Sequence, residues 1–257
     1  MTSSGKEWRS QYTRDMLRSF RNLPVESIRL LVFDLDGTLI DSRQDLCNSV
    51  NATLEKFGLA PLPDDVIAGF IGDGAQLLIR RALAVPGEMP AEHDPEEIFE
   101  EAFLYFLDYY RAHKLDYTRL YPGVIEALEG LKTMPDGTPR KMAVLTNKPV
   151  GPARAICDGL GISSYFFSIY GGDSFAAKKP DPLGLVTLMT EAGCRPEETL
   201  MVGDSDVDIR TARNAGTWAL GCSFGLAPDT LELAGPDAIA DHAAGWLTAL
   251  MPQEAKI

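Results

Sequence analysis

Leu30-Leu31-Val32-Phe33-Asp34-Leu35-Asp36-Gly37-Thr38-Leu39 ends an apolar run on two aspartates separated by one leucine. The run starts at Ile28 and contains one charged residue, Arg29. Short runs rich in branched and aromatic side chains read as buried strands, here of a parallel sheet. In open α/β sheets the ligand crevice lies beyond the carboxyl ends of the strands, which is where Asp34 and Asp36 fall. Alternate strand residues share one side, so the spacing predicts that the two carboxylates converge while Leu35 points away. Gly37 lets the chain turn sharply after them. Two carboxylates this close repel unless a cation sits between them or one holds a proton. The stretch therefore admits a metal site or an acid/base pair.

Downstream of this strand the pattern is helical as far as residue 118. Leu46, Val50, Leu54 and Phe57 form a helical stripe stopped by Gly58. Pro63-Asp64-Asp65 reads as a second helix start, and the loop Ile71-Gly72-Asp73-Gly74 leads into a helix over 75–83. A proline-rich acidic link spans 86–95, and Asp94-Pro95-Glu96-Glu97 opens another helix. That helix carries Ile98, Phe99, Ala102, Phe103, Phe106, Leu107 and Tyr110 on one side, a spacing that reads as core. From Tyr121-Pro122-Gly123 helices and strands alternate. Strands are expected over 142–145, 166–170, 200–202, 217–221 and 238–240. Helices are expected over 124–131, 152–160, 182–192 and 209–215, with a last one around Trp246. Repeated β-α units of this length predict a parallel sheet covered on both faces. The expected fold is α/β, a Rossmann-like, doubly wound parallel sheet core (28–42 and 119–257) with an inserted α-helical cap (43–118). Residues 1–27 form a polar N-terminal extension in which Trp8, Tyr12, Met16 and Phe20 recur at the spacing of one amphipathic helix.

The 257 residues and 45% apolar content are ample for a core. With 37 acidic against 24 basic residues the net charge is −13, which disfavours nucleic acid and an anionic membrane surface as partners. An acidic protein that takes a small anionic substrate must build a local positive site from lysine, metal or helix N-termini. Cys47, Cys157, Cys194 and Cys222 are scattered, without a zinc-type pairing, as expected of reduced thiols in a cytoplasmic protein. No apolar run reaches membrane-spanning length, and the first residues lack the apolar core of a signal peptide.

Four strand ends carry polar groups: Asp34/Asp36, Thr146-Asn147-Lys148, Lys178-Lys179-Pro180, and Asp204 with Asp206 and Asp208. Any one alone reads as a capped turn. Together they supply carboxylates, hydroxyl and amide donors, and a fixed cation. No G-x-x-x-x-G-K-[ST] or G-x-G-x-x-G follows the first strand, which removes the common nucleotide-binding motifs, and no G-x-S-x-G suggests a serine hydrolase.

This ordered set resembles the motifs of the haloacid dehalogenase-like hydrolases, in the branch with a helical cap after the first motif. Asp34-Leu35-Asp36-Gly37-Thr38-Leu39 is similar to the first motif, Thr146-Asn147 to the second, Lys179-Pro180 to the third and Gly203-Asp204-Ser205-Asp206-Val207-Asp208 to the fourth. The resemblance implies that Asp34 attacks phosphorus and that Asp36 protonates the leaving oxygen and then deprotonates water. It implies Mg²⁺ held by Asp34, the backbone carbonyl of Asp36, and Asp204. Lys179 supplies fixed positive charge, Gly37, Thr38, Thr146 and Asn147 bind the phosphate, and Asp208 orients the inner groups. Dehalogenases of the superfamily lack the second aspartate and phosphonatases carry alanine there, so Asp36 points to a phosphate ester.

The cap should select the leaving group. Phe70-Ile71-Gly72-Asp73-Gly74-Ala75 and the helix after it resemble the cap of bacterial phosphoglycolate phosphatases, where Gly72 and Gly74 allow close backbone approach and Arg80 is a candidate partner for a substrate carboxylate. Asp73 departs from the neutral residue common there. The resemblance implies a Mg²⁺-dependent phosphatase of a small anionic phosphate ester, 2-phosphoglycolate first. A phosphatase of a sugar phosphate or pyrophosphate, a β-phosphoglucomutase-like mutase, and a non-catalytic phosphate-binding protein are the alternatives. The joint presence of Asp34, Asp36, Lys179 and Asp204 argues against the last.

Overall fold

The decisive stretch forms the centre of a seven-stranded sheet. The computed structural model describes residues 17–85 and 95–250. Strands β1 (Leu17–Ser19), β2 (Leu30–Phe33), β5 (Lys141–Leu145), β6 (Ser168–Tyr170), β7 (Thr199–Gly203), β8 (Trp218–Cys222) and β9 (Ala238–Ala240) lie in the order β1-β9-β8-β7-β2-β5-β6. All neighbours run parallel except β1, which pairs antiparallel with β9. All four side chains of β2 are fully buried, which is why the strand reads as an unbroken apolar run. Leu31 and Phe33 enter the core on one face, Leu30 and Val32 the core on the other, as the two-residue strand period requires. Phe33 packs on Trp246 at a centroid distance of 5.2 Å and on Phe166 at 6.2 Å.

Neighbouring registers place the polar strand ends side by side. Phe33 is opposite Val144 of β5 and Val202 of β7, so Asp34, Thr146 and Asp204 emerge from adjacent strands at the same edge. After β2 the chain places β5 and β6 on one side and β7 to β9 on the other. The polar ends thus collect where the strand order reverses.

Between β2 and β5 the chain forms a short ribbon, β3 (Ile40–Asp41) against β4 (Arg119–Leu120), and between those strands the helices α1 (Arg43–Lys56), α2 (Asp64–Ala68), α3 (Ala75–Leu83) and α4 (Pro95–His113). Leu46, Val50 and Leu54 of α1, and Phe99, Ala102, Phe106 and Tyr110 of α4, are buried at helical spacing. Asp45, in the first turn of α1 and 1% exposed, accepts hydrogen bonds from the backbone N–H groups of Tyr117 and Thr118 and from the Thr118 hydroxyl at 2.7 Å. The first and last turns of the helical insert are thereby tied together.

The sheet is flanked by α5 (Val124–Leu131), α6 (Val150–Gly159), α7 (Leu183–Ala192), α8 (Asp206–Ala215), α9 (Leu231–Ala234) and α10 (Ala244–Ala249). Two local expectations change. Residues 17–19 form an edge strand, and Phe20 follows it 57% exposed, so this end of the expected amphipathic helix is extended; Trp8, Tyr12 and Met16 lie outside the described residues. The strand expected over 166–170 is shorter, because a 3₁₀ turn at Ser163–Tyr165 precedes it. Among the described residues no helix is long and apolar enough to cross a membrane.

Candidate active site

The two aspartates line one cleft, but each is held by its own lysine rather than facing the other. Asp34 Oδ1 accepts a hydrogen bond from Lys179 Nζ at 2.7 Å, and the same ammonium donates to Asp208 Oδ1 at 2.6 Å. Asp208 Oδ2 in turn takes the N–H and hydroxyl of Ser205 at the start of α8. Asp36 turns the other way. Its carboxylate accepts Lys148 Nζ on both oxygens, at 2.9 and 3.0 Å, and the Ser42 hydroxyl at 2.5 Å. Burial would lower the Lys148 ammonium, yet the adjoining Asp36 charge holds it above the ordinary lysine range.

Asp34, Asp204 and Asp208 bring a carboxylate oxygen each within 4.8 Å of one another. Burial pushes Asp34 up to about 6, despite the pull of Lys179, and burial together with Asp208 and Asp34 raises Asp204 well above the carboxylate range. Three buried acids lie together and the Lys179 ammonium touches two of them, Asp34 and Asp208, so the cluster has an excess of negative charge that a hard cation would neutralise. The donor set fits a metal ion of the Mg²⁺ kind. The Asp36 side chain is engaged with Lys148 and stands outside the cluster. The third carboxylate of the cluster is Asp208, expected in an orienting role.

Asp204 is fixed by its surroundings. Its Oδ2 accepts the N–H groups of Leu226 at 2.7 Å and Ala227 at 3.2 Å. Thr38 is fully buried with its hydroxyl 3.5 Å from Asp204 Oδ1. Thr38 and Gly37 pack against Asp204, and neither is among the residues lining the cleft.

Thr146 and Asn147 do line the cleft, with Asp34 and Asp36. Thr146 Oγ1 accepts the Lys148 N–H at 3.2 Å. The Asn147 side chain donates to the Gly72 carbonyl at 3.2 Å and to the Lys179 carbonyl at 3.1 Å, joining the helical insert to the sheet. Gly72 and Gly74 adopt positive φ, +119° and +94°, and both face the cleft. Arg80 departs from expectation: its guanidinium lies 3.8 Å over the Phe99 ring, inside the helical insert, and it does not line the cleft. Its neighbour Arg81 pairs with Asp73 at 2.5 Å, which neutralises the acid that departs from the family pattern. Asp173 accepts the Val150 N–H at 2.7 Å and so caps α6, while Asp206 makes an ion pair with Arg210 at the surface.

The cleft is narrow, with a cavity volume of about 60 Å³. Besides the acids, its walls include Leu46, Leu78, Phe106, Leu107 and Tyr110. Sequence reasoning missed Lys148 and Tyr110 as site residues. The signals were a lysine directly after the second motif, and a tyrosine at the end of an otherwise hydrocarbon helix face.

A profile of haloacid dehalogenase-like hydrolases matches residues 31–221. The chain is 36% identical over 222 residues to a phosphoglycolate phosphatase of Rhodospirillum rubrum, covering 85% of this chain and 90% of that one. It is 39% identical over 210 residues to a phosphoglycolate phosphatase of Neisseria meningitidis, covering 82% and 86%. The crystal structure of a predicted phosphoglycolate phosphatase from Haemophilus somnus superposes with a TM-score of 0.81 at 33% identity, covering 88% of this chain and 99% of that one. On this similarity and the strand-end geometry, the chain belongs to the haloacid dehalogenase-like hydrolases.

Proposed function

We propose that this phosphatase hydrolyses 2-phosphoglycolate to glycolate and phosphate through a phosphoryl group carried on Asp34. The observation that carries the reading is the separation of duties at the end of β2. Asp34 is held by Lys179 beside the carboxylate cluster, and Asp36 is held apart in the same cleft. An oxygen of Asp34 attacks phosphorus, and the bond from phosphorus to the ester oxygen breaks. Asp36 gives a proton to that oxygen as it leaves, then takes a proton from the water that cleaves the Asp34–phosphorus bond. Phosphate departs and both aspartates are restored. Lys179 fixes Asp34 and offsets the charge gathering on the phosphoryl oxygens. Asp34, Asp204 and the Asp36 carbonyl, with Asp208 alongside, would hold Mg²⁺, which would supply positive charge that lets an anionic nucleophile meet an anionic ester. The helical insert, 43–118, acts as a cap that excludes water and shapes the space for the leaving group.

Glycolate as the leaving group is supported by the names of the relatives. A larger anionic ester is the second reading, favoured by an adjoining cavity lined by Arg111, Lys114 and Lys178. The test is phosphate release from a panel of monoesters, with Mg²⁺ and with chelator. Phosphoglycolate should give the highest kcat/KM, and chelator or Asp34→Asn should abolish turnover. A sugar phosphate that outcompetes it would overturn the substrate, and turnover that survives chelator and Asp34→Asn would overturn the mechanism.

A further inference from the structure

Lys148 and Tyr110 occupy the polar end of the cleft, and neither reacts in the phosphoryl chemistry, in which Lys148 serves only as the partner of Asp36. Among the described residues lining the cleft, Lys148 is the sole base. It is 7% exposed and stands after β5, on the sheet, while Tyr110 is 3% exposed and stands on α4 of the helical insert. The ammonium lies 4.7 Å from the centroid of the Tyr110 ring. An ammonium has three protons to donate, and the acceptor seen for this one is the Asp36 carboxylate. The Tyr110 hydroxyl is buried, and its proton has no acceptor among the described residues. A buried donor without an acceptor costs free energy, so such groups usually await a ligand or a water.

Geometry limits what that ligand can be. The leaving oxygen must come to Asp36 to receive its proton, and Lys148 touches both oxygens of Asp36. In glycolate the carboxylate is two bonds beyond the leaving oxygen, which brings it beside the ammonium and the phenol. We infer that Lys148 and Tyr110 together hold the carboxylate of the leaving group, and so choose an acid-bearing ester over a neutral one of the same size. The inference rests on phosphoglycolate being the substrate. It replaces Arg80, stacked on Phe99, as the carboxylate partner. With one donor on the sheet and the other on the insert, a carboxylate between them also draws the two parts together over the reacting bond.

The experiment compares kcat/KM for 2-phosphoglycolate with that for 2-hydroxyethyl phosphate, which has an uncharged group in place of the carboxylate. It is run on the wild type, Tyr110→Phe and Lys148→Met, with folding checked by circular dichroism. Wild type should prefer the carboxylate, and each variant should reduce that preference by about 10–100-fold. The preference, and not the absolute rate, is the readout, because Lys148→Met also removes a partner of Asp36 and slows both esters. If wild type prefers phosphoglycolate and Lys148→Met keeps that preference, the inference is overturned and the substrate stands. A wild type without preference for the carboxylate overturns both.

Discussion

The Cβ that Gly37 lacks would fall 2.1 Å from Oδ2 of Asp204. Gly37 also has φ +85°, a conformation side chains resist, and a Cβ on Gly225 would approach the Asp204 Cβ to 2.2 Å. Asp204 is therefore seated against two glycine backbones with no space to spare. Gly37→Ala should displace it, at a strain of about 1–3 kcal/mol, and weaken Mg²⁺ binding by about 10–100-fold. Calorimetric titration of Mg²⁺ into the folded variant checks this; unchanged affinity would refute the seating.

Asp36→Asn should lower turnover of an alkyl phosphate by about 10²–10⁴-fold, since both proton transfers pass through this carboxylate. p-Nitrophenolate leaves without needing a proton. Rapid mixing of this variant with p-nitrophenyl phosphate should therefore show a burst approaching one equivalent, followed by slow turnover. A burst slowed as much as the turnover would assign Asp36 no separate role.

The acid cluster sets an unusual pH response for the metal-free protein. Asp34 has its ordinary value of 3.8 raised by burial to about 6, so the folded chain binds this proton more tightly than the unfolded chain. Its contribution to stability is complete below the unfolded value and is lost as pH rises from about 4 to 6, by about 3 kcal/mol at most. Asp204 shifts in the same direction. Urea denaturation in chelator at both ends of this range should show a steeper loss for wild type than for Asp34→Asn, and saturating Mg²⁺ should remove the difference. Parallel pH responses of the two proteins would contradict the assignment.

Asn147→Ala removes the two donations that join Gly72 to Lys179. Stability should fall by about 1–3 kcal/mol. Amide exchange in the 70–74 loop should quicken and KM should rise more than kcat falls, read by exchange mass spectrometry and steady-state kinetics. A loop that exchanges at the wild-type rate would show that Asn147 does not hold it.

The sheet core was legible because each strand end pairs an apolar run with a polar group, and both signals are local. Asp34 and Asp204 follow that rule directly after β2 and β7, whereas Lys179 lies in the loop well past the end of β6 and stands out only through the family resemblance. β1 was not legible: three residues with outward exposure show no alternation, and their partner β9 begins at Ala238. The pairing of Lys148 with Asp36 joins residues 112 apart in sequence, so nothing near either one announces it. Tyr110 sits on the same helix face as Phe99 and Phe106, and hydrophobic spacing does not separate a ring that ends in the core from one that ends in the cleft. The place of Arg80 over Phe99 is not legible either, since a guanidinium can stack on a ring as readily as it can pair with a carboxylate.

Asp41 and Arg119 face each other across the β3–β4 ribbon, and just beyond them Asp45 fastens the two ends of the insert. The helices therefore leave and rejoin the sheet at a single doorway, and the order of the sheet strands does not depend on what lies outside it. If that excursion helps choose the leaving group as proposed, replacing it would change which alcohol is released while the strand-end residues keep their places. Bond breaking and substrate choice can thus diverge at different rates in the history of such a chain.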